Sequence, residues 1–286
     1  MKAMILAAGL GTRLRPLTGN RPKALVELSG RTLLEITLIR LRTFGISEVI
    51  INVHHFADMV TDYLKSHKNF GMCIEISRED VLLDTGGGLK KAAWFFLEDP
   101  SRLDEPFLLH NVDVISTIDL SRMLQFHKGN HALATLAVQS RETSRYLLFD
   151  NHHQLSGRRL GRDGEPELVS SAPANSIHKR SALQPAETTT NCHSERSEEP
   201  AFSDSPAGRS EPYEALAFSG IHVISPRLLP MLAEEGIFSL IPSYLRLAAQ
   251  GQKILAFRAD QYYWRDLGRP ADLAQAVTDL QQKAFS

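Results

Sequence analysis

The sequence predicts an α/β fold, in which a mixed, mostly parallel sheet carries helices on both faces. Apolar runs typical of buried strands alternate with segments of helical spacing through the first half of the chain. Strands separated by helices form right-handed βαβ units, whose strands pair in parallel. In such sheets ligands bind at the carboxyl ends of the strands, and here the runs 3–8 and 107–111 lead directly into glycine or acidic residues.

Local patterns predict the elements of the first half. Apolar residues at helical spacing run from Leu33 to Phe44, and Gly45 follows as a typical C-terminal glycine. Short apolar runs, several of them rich in β-branched residues, favour strands. The predicted strands are 3–8, 48–53, 73–77, 107–111 and 132–138, and the further predicted helices are 58–64, 86–97 and 120–128.

The second half contains a segment without periodicity, from about residue 170 to residue 212. It is rich in Ser, Glu, Pro, Ala, Thr and Asn, and it holds few apolar residues. Because such a composition buries too little surface to offset the entropy of ordering, we expect a disordered insertion, with a functional lid as the alternative. We expect the whole chain, residues 1–286, to be a single domain. The elements predicted after the insertion are strands at 215–224 and 254–257 and helices at 240–250 and from Pro270.

The composition argues against several classes of protein. The 286 residues are 43% hydrophobic and 23% charged, with a net charge of −1, which gives no electrostatic basis for binding nucleic acid or an acidic membrane. We find no apolar run that approaches the length of a membrane span and no signal-peptide pattern. Cys73 and Cys192 are far apart, so we expect no disulfide framework. These observations predict a cytoplasmic protein and leave its oligomeric state open.

The most specific motif is the loop after the first strand, Gly9-Leu-Gly-Thr-Arg13. Its glycines let backbone N–H groups approach an anion, and Arg15 and Lys23 add positive charge to that of Arg13. The dinucleotide-binding motif is excluded because Leu14 stands where its third glycine belongs, and the Gly-Lys-Ser/Thr ending of a P-loop is absent. The loop therefore predicts phosphate binding by another kind of motif, with a solvated turn as the alternative.

The full pattern, Gly-x-Gly-Thr-Arg-x-x-Pro-Leu-Thr followed by Pro22-Lys23, resembles the signature of the sugar-phosphate nucleotidyltransferases. The resemblance implies a Rossmann-like sheet of the nucleotide-diphospho-sugar transferase type. It also implies that a nucleoside triphosphate and a sugar 1-phosphate react to give a nucleotide-sugar and pyrophosphate, with Mg²⁺ as cofactor. Some relatives carry a C-terminal β-helix of hexapeptide repeats, which we do not expect in this chain.

Two aspartates match the metal ligands of that family. Asp113 follows the strand 107–111, where the family has a Gly-Asp pair, but the glycine is replaced by Val112. A β-branched residue resists the positive φ and the close backbone approach that glycine permits. Asp266 lies in Trp264-Arg-Asp-Leu-Gly268, which is similar to the family's Trp-x-Asp-x-Gly segment. The alternatives are a turn or helix-capping role for Asp113 and a cap of the last helix for Asp266.

The resemblance also assigns residues to the nucleotide. Arg13 and Lys23 are the expected catalytic residues: Arg13 would brace the β- and γ-phosphates, and Lys23 would neutralise charge at the α-phosphate. The second glycine loop, Gly86-Gly87-Gly88, opens a helix, and we expect exposed N–H groups there to hold the base and ribose, with a loose turn as the alternative. The predicted nucleotide-binding residues are Ala7, Ala8, Gly9, Gly11, Thr12, Arg13, Lys23, Gly86, Gly87 and Asn111.

The choice of substrate depends on shorter matches. Leu83-x-Thr-Gly-Gly-Gly and Phe218-Ser-Gly-Ile look most like the N-acetylmuramic acid 1-phosphate uridylyltransferases, which use UTP and serve cell-wall recycling. Mannose-1-phosphate guanylyltransferases are the close alternative, and a non-catalytic regulatory subunit that binds sugar nucleotides is the alternative from another class. Ser219 and Gly220 are the candidate sugar-binding residues. The Glu-Lys-Pro that contacts the sugar phosphate in many relatives is not found.

Overall fold

The computed structural model of the protein describes residues 1–169 and 212–282. The insertion predicted at about 170–212 therefore lies outside the described residues, except for residue 212. The helices are α1 Leu33–Thr43, α2 Ala57–Ser66, α3 Asp84–Lys91, α4 Ala93–Leu97, α5 Leu120–Gly129, α6 Leu240–Ala249 and α7 Pro270–Gln281. The strands are β1 Lys2–Leu6, β2 Glu27–Leu28, β3 Arg31–Thr32, β4 Glu48–Val53, β5 Cys73–Arg78, β6 Phe107–Asn111, β7 Val114–Ser116, β8 Ala134–Gln139, β9 Arg145–Phe149, β10 Leu155–Leu160, β11 Pro166–Leu168, β12 Glu214–Ile224, β13 Ile254–Arg258 and β14 Trp264–Asp266.

A ten-stranded mixed sheet forms the centre of the molecule, and it confirms the predicted fold class. Its main order is β11-β10-β9-β12-β6-β1-β4-β5, and β8 joins β12 to β13. The strands β6, β1, β4 and β5 are parallel to one another. Strand β12 pairs antiparallel with β6 and with β9. Strand β10 pairs antiparallel with β9 and with β11. The antiparallel strands β9, β10 and β11 are not among the elements predicted from the sequence.

Hydrophobic layers on both faces of the sheet hold the helices. Alternate residues of β1 point to opposite faces, so Ala3 and Ile5 enter one buried cluster while Met4 enters the other. Leu38 of α1 packs in the first cluster, and Tyr244 of α6 packs in the second. The predicted placement of helices on both faces is confirmed. Within residues 1–169 and 212–282, no helix combines the length and apolarity needed to cross a bilayer.

Capping residues explain where α1 begins and ends. The hydroxyl oxygen of Thr32 accepts a hydrogen bond from the backbone N–H of Glu35, at 3.1 Å, which satisfies one donor of the first turn. Gly45 follows the helix with φ of +74°, a conformation that glycine adopts without steric cost. The predicted bounds of this helix are therefore confirmed, whereas the helix predicted over 86–97 is two helices, α3 and α4, which meet at Ala92.

Candidate active site

A cavity of about 430 Å³ opens at the carboxyl ends of β1, β4 and β6. Leu6, the last residue of β1, is paired with Asn52 of β4 on one side and with Asn111 of β6 on the other. The chain passes from β1 to β4 in one direction across the sheet, whereas β6 lies on the opposite side, so the cavity is at a topological switch point. The lining residues are Leu6, Ala7, Ala8, Gly9, Gly11, Thr12, Arg13, Lys23, Asn52, Glu79, Leu82, Asp84, Thr85, Asn111, Val112, Asp113, Ile237 and Gly268.

The first loop needs its two glycines for different reasons. Gly11 has φ of +64°, and a Cβ there would lie 2.9 Å from Cγ2 of Thr18. The Thr18 hydroxyl donates to the carbonyl oxygen of Gly11 at 2.8 Å, which holds the turn closed. A Cβ at Gly9 would meet nothing within 4 Å, so Gly9 leaves the backbone bare toward the cavity that it lines.

Two buried side chains outside the predicted set join this loop to the start of α3. Asn52 accepts a hydrogen bond from the N–H of Ala7 at 2.8 Å and donates to Glu79 Oε1 at 2.7 Å. Glu79 Oε2 accepts from the N–H of Leu83 at 2.9 Å. Asn52 ends a parallel strand and Glu79 follows the next one, so the rule that ligands bind at carboxyl ends of strands was a signal that could have found both.

Lys23 and Asp113 form an ion pair at the edge of the cavity. The ammonium of Lys23 contacts Oδ2 of Asp113, and both side chains are largely buried. Asp113 occupies the turn between β6 and β7, whose first residue is Val114. The pair therefore places one fixed positive charge and one fixed negative charge beside the predicted phosphate loop.

Val112 does not distort this turn. Its φ is not positive, its N–H donates to the carbonyl oxygen of Leu6 at 3.1 Å, and its side chain is buried. The replacement of glycine by valine therefore demands no strained backbone conformation here. Val112 thus leaves the backbone next to Asp113 in an ordinary conformation.

Strand pairing brings Asp266 next to Asp113. Strand β14 pairs antiparallel with β7, with Asp266 opposite Val114, and the N–H of Leu267 donates to the carbonyl oxygen of Asp113 at 2.7 Å. Burial raises the pKa of the Asp266 carboxyl, the charge of Asp113 raises it further, and Lys23 and Arg13 act in the opposite direction. The interpretation of Asp266 as a cap of the last helix is wrong, because the N-cap residue of α7 is Arg269.

Gly268 allows Arg13 to approach Asp266. A Cβ at Gly268 would lie 2.7 Å from Nη2 of Arg13 and 2.7 Å from Oδ1 of Asp266. Arg13, on the first loop, is itself exposed and lines the cavity, whereas Arg15 is absent from the lining. The absence of a side chain at Gly268 therefore leaves room for the guanidinium of Arg13 next to the carboxyl of Asp266.

The two aspartates fit a divalent cation. Oδ1 of Asp266 is buried and has no hydrogen-bond partner, and the Asp266 carboxyl lies near enough to Asp113 for the charge of Asp113 to raise its pKa. Among the described residues no cluster holds three or more His, Cys, Asp or Glu side chains suited to a metal. Mg²⁺ is commonly held by one or two carboxylates together with substrate phosphates and water, so two aspartates match that pattern.

The glycines of α3 do not present free donors. The N–H groups of Gly86 and Gly87 both donate to the carbonyl oxygen of Phe238, at 2.9 and 3.2 Å. A Cβ at Gly86 would lie 2.3 Å from Cε2 of Phe238, and one at Gly87 would lie 2.4 Å from the carbonyl oxygen of Gly236. The expectation of exposed N–H groups at Gly86 and Gly87 is therefore wrong. These glycines let α3 pack against residues 236–238, while Asp84 and Thr85 line the cavity instead.

Ser219 and Gly220 lie at an irregularity in β12, outside the cavity lining. The register of β12 against β8 shifts between Phe218 and His222, and Gly220 has φ of +74°. A Cβ at Gly220 would lie 3.0 Å from Nδ2 of Asn111. Ser219 is fully buried, and its carbonyl oxygen accepts a hydrogen bond from Nε1 of Trp264 at 2.7 Å. Gly220 thus leaves room for the side chain of Asn111, and the carbonyl oxygen of Ser219 helps to fix the ring of Trp264.

The remaining predicted residues are gathered at the cavity. They comprise the first loop, the end of β6 and the ion pair, and the cavity is lined by Ala7, Ala8, Gly9, Gly11, Thr12, Arg13, Lys23, Asn111 and Asp113. Asp266 adjoins this set through Gly268 and Asp113. The structure therefore places the backbone of the first loop, two cations and Asp113 around one space, with Asp266 beside it.

Comparisons with known proteins identify the family of the chain. The family model described as "Nucleotidyl transferase" matches residues 2–150. The N-acetylmuramate alpha-1-phosphate uridylyltransferase of Caulobacter vibrioides is 32% identical over 278 residues, which cover 94% of this chain and 92% of that protein. The mannose-1-phosphate guanylyltransferase catalytic subunit beta of Dictyostelium discoideum is 35% identical, but its match covers only 51% of this chain and 40% of that protein.

Solved structures show the same fold. A UDP-glucose pyrophosphorylase in complex with UDP-glucose superposes with a TM-score of 0.68 at 15% identity, and the match covers 99% of this chain and 98% of that one. At this identity the likeness concerns the fold, and it agrees with the mixed sheet described above. The family assignment depends instead on the sequence matches. The chain belongs to the nucleotidyl transferase family, among the enzymes that act on sugar 1-phosphates.

Proposed function

We propose that the protein transfers a uridylyl group from UTP to N-acetylmuramic acid 1-phosphate, with Mg²⁺ as cofactor. The observation that carries the proposal is the convergence of Arg13, Lys23 and Asp113 at one cavity, with Asp266 adjoining them through Gly268 and Asp113. The choice of substrates is supported by the extent of the sequence matches. The relative named for this uridylyl transfer aligns with 94% of the chain, whereas the guanylyltransferase aligns with about half of it.

The reaction joins two anions, so positioning and charge neutralisation supply most of the catalysis. An oxygen of the sugar 1-phosphate attacks the α-phosphorus of UTP, and a new P–O bond forms. The bond from the α-phosphorus to the oxygen that bridges to the β-phosphate breaks, and pyrophosphate leaves with that electron pair. No proton has to move, because the attacking phosphate oxygen is already ionised at neutral pH.

The residues of the first loop act on the triphosphate. Backbone N–H groups around Gly9 and Gly11 face the phosphate oxygens, since neither glycine carries a side chain that would keep them apart. The guanidinium of Arg13 braces the departing β- and γ-phosphates. The ammonium of Lys23, fixed by its contact with Asp113, neutralises charge that develops at the α-phosphate.

Asp113 and Asp266 would hold Mg²⁺, which when bound neutralises phosphate charge and orients the oxygens of both substrates. The unpartnered, buried Oδ1 of Asp266 is the feature of the site that favours a bound cation. Asn52 and Glu79 keep the first loop and the start of α3 at a fixed separation, because their hydrogen bonds join the two segments directly.

Pyrophosphate release tests the proposal directly. Purified enzyme with Mg²⁺ is assayed with UTP, GTP, ATP and dTTP, each against N-acetylmuramic acid, N-acetylglucosamine, glucose and mannose 1-phosphates. We expect the highest kcat/KM for UTP with N-acetylmuramic acid 1-phosphate. A preference for GTP with mannose 1-phosphate would instead identify a guanylyltransferase.

A negative result across the whole panel is also informative. If no pair of substrates released pyrophosphate while UTP still bound, the protein would be a non-catalytic nucleotide-binding subunit. The same assay after addition of excess EDTA tests the cofactor, and activity that persisted without any divalent cation would contradict the assignment of Asp113 and Asp266.

A further inference from the structure

A stacked pair of side chains, Arg141 and Trp264, lies beside the carboxylates but outside the cavity lining. The guanidinium carbon of Arg141 is 3.8 Å from the ring centroid of Trp264. Nη2 of Arg141 donates to the carbonyl oxygen of Phe218 at 2.7 Å, and Nε1 of Trp264 donates to that of Ser219 at 2.7 Å. Both partners are thereby attached to the irregular part of β12.

The charge of Arg141 is not neutralised by an ion pair. Within residues 1–169 and 212–282, its guanidinium contacts no carboxylate, and its Nε is buried without a hydrogen-bond partner. Burial lowers the pKa of Arg141, and the nearby charge of Asp266 opposes that effect. A cation that is partly removed from water and lacks a counter-ion is costly, unless a bound anion completes the site.

The position of Trp264 sets that charge next to the metal carboxylates. Trp264 and Asp266 are two residues apart on β14, so their side chains share one face of the strand. Arg141 stacks on Trp264 and therefore lies on the same side as Asp266. Lys23 is engaged by Asp113 and Arg13 lines the cavity, whereas Arg141 contacts no carboxylate in the described part of the chain, so its charge is available to a second substrate.

The backbone before Arg141 is held firmly. Nε2 of Gln139 donates to the carbonyl oxygens of Ala259 and Tyr262, at 2.9 and 3.0 Å. The N–H of Ser140 donates to Oδ1 of Asp260 at 2.6 Å. These bonds fix the end of β8, so the guanidinium is oriented before any ligand arrives, which lowers the entropy lost on binding.

We propose that Arg141 binds an anionic oxygen group of the sugar substrate, either the 1-phosphate or a carboxylate borne by the sugar. The proposal rests on the proposed function, because it takes a sugar 1-phosphate as the second reactant. A guanidinium suits this role, since its planar N–H groups match the oxygens of a phosphate or a carboxylate while its face stacks on an aromatic ring. Trp264 acts as a positioning residue.

The test separates binding of the sugar from binding of the nucleotide. In the variant Arg141→Gln we expect KM for the sugar 1-phosphate to rise by roughly 10- to 100-fold, as for loss of a hydrogen bond to a charged group. KM for UTP should stay within about twofold of the wild type, and Arg141→Lys should give a smaller rise. The matched control is Arg122→Gln, because Arg122 is an exposed arginine, and neither KM should change.

Two sugars distinguish the two anionic groups. N-acetylmuramic acid 1-phosphate has a carboxylate that N-acetylglucosamine 1-phosphate lacks. If Arg141 binds the phosphate, Arg141→Gln should raise KM for both sugar 1-phosphates by a similar factor. If Arg141 binds the carboxylate, KM should rise only for N-acetylmuramic acid 1-phosphate. For a sugar 1-phosphate that the enzyme does not turn over, the inhibition constant replaces KM in the comparison between the wild type and Arg141→Gln.

An unchanged KM for both sugars in Arg141→Gln, or an equal rise in KM for UTP, would overturn the inference while leaving the proposed function intact. An inactive wild type across the full panel of substrates would overturn the proposed function, and the role of Arg141 with it. Melting temperatures of all variants are measured alongside, so that a misfolded variant is recognised. If Arg141→Gln is misfolded, the KM values of Arg141→Lys are compared with those of the wild type instead.

Discussion

Two sides of the active site are built in different ways. The nucleotide side consists of the loop 7–23 and the ends of β1, β4 and β6, and it uses backbone groups and short-range turns. The side opposite, made of Arg141, the irregular part of β12 and β14, uses side chains from segments far apart in sequence. We call it the sugar side. In the proposed function, the triphosphate, which is common to the whole reaction class, is held by backbone groups together with Arg13 and Lys23, whereas the sugar, which varies, is held by side chains, which change more easily.

Asp113 lies where the two sides meet, and its loss should have the largest effect. In Asp113→Asn one of two carboxylates loses its charge and Lys23 loses its ion pair. We expect kcat to fall roughly 10²- to 10³-fold, as for removal of one electrostatic group from a preorganised site. The measurement is steady-state pyrophosphate release at saturating substrate.

The control for that variant is Asp104→Asn, an exposed aspartate whose replacement should leave kcat unchanged. Near-normal turnover of Asp113→Asn would remove Asp113 from the metal site.

Gly268→Ala tests whether the two sides are coupled by packing. The new methyl group would lie 2.7 Å from both Nη2 of Arg13 and Oδ1 of Asp266, so both side chains must move. We expect kcat to fall by up to about 10²-fold, because small displacements of catalytic groups are costly. Gly129→Ala is the matched control, since a Cβ at Gly129 meets nothing within 4 Å. Equal activity of the two variants would show that Arg13 and Asp266 need no fixed separation.

Acid should destabilise the folded protein through three buried histidines. Burial is the main cause that lowers the pKa of His222, on β12, to about 3 and the pKa values of His110, on β6, and His127, on α5, to about 4. The unfolded chain takes up these protons near pH 6.5 and the folded chain does not. The free energy of unfolding therefore falls as pH drops from about 6.5 toward 4, by about 2 kcal/mol per histidine at pH 5.

Urea unfolding at pH 7 and pH 5 measures this loss. The variant His127→Gln should reduce the difference between the two pH values by the share of one histidine. The exposed His131, replaced by Gln, should leave it unchanged. A free energy of unfolding that stayed constant between pH 7 and pH 5 would contradict the assignment of neutral, buried histidines.

Gly86→Ala should affect stability on the nucleotide side more than it affects chemistry. Its Cβ would lie 2.3 Å from the ring of Phe238 and 2.9 Å from the carbonyl oxygen of that residue, so α3 and residues 236–238 must separate. We expect a loss of about 1–3 kcal/mol in the free energy of unfolding, as for other overpacked sites. A variant with the melting temperature of the wild type would show that α3 and residues 236–238 separate at little cost in free energy. Gly86 would then be accessible to a ligand.

Much of the nucleotide side could be predicted because it is local. Gly9, Gly11 and Arg13 follow directly from an apolar strand, and a glycine that adopts positive φ in a turn is a short-range requirement. Asp113 could be predicted for the same reason, since it follows β6 within two residues. The role of Gly86 was misjudged because its partner, Phe238, is distant in sequence and no local pattern indicates that contact.

The sugar side could be predicted only in part. Asp266 was found through a resemblance to a family motif, whereas its approach to Asp113 depends on the pairing of β7 with β14. No signal in the sequence marks Arg141, because what distinguishes it is a stacked ring and a missing counter-ion, and both depend on tertiary contacts.

The sequence by itself determined the alternation of strands and helices, the phosphate loop and the order of its cations and carboxylates. These depend on backbone preferences and hydrophobic periodicity, which act over a few residues. Only the tertiary structure decided which carboxylate lies against Lys23, which glycines serve packing, and where an unpaired arginine is held. Those outcomes depend on strand pairing and close packing between distant segments, whose distances of a few ångström no linear pattern encodes.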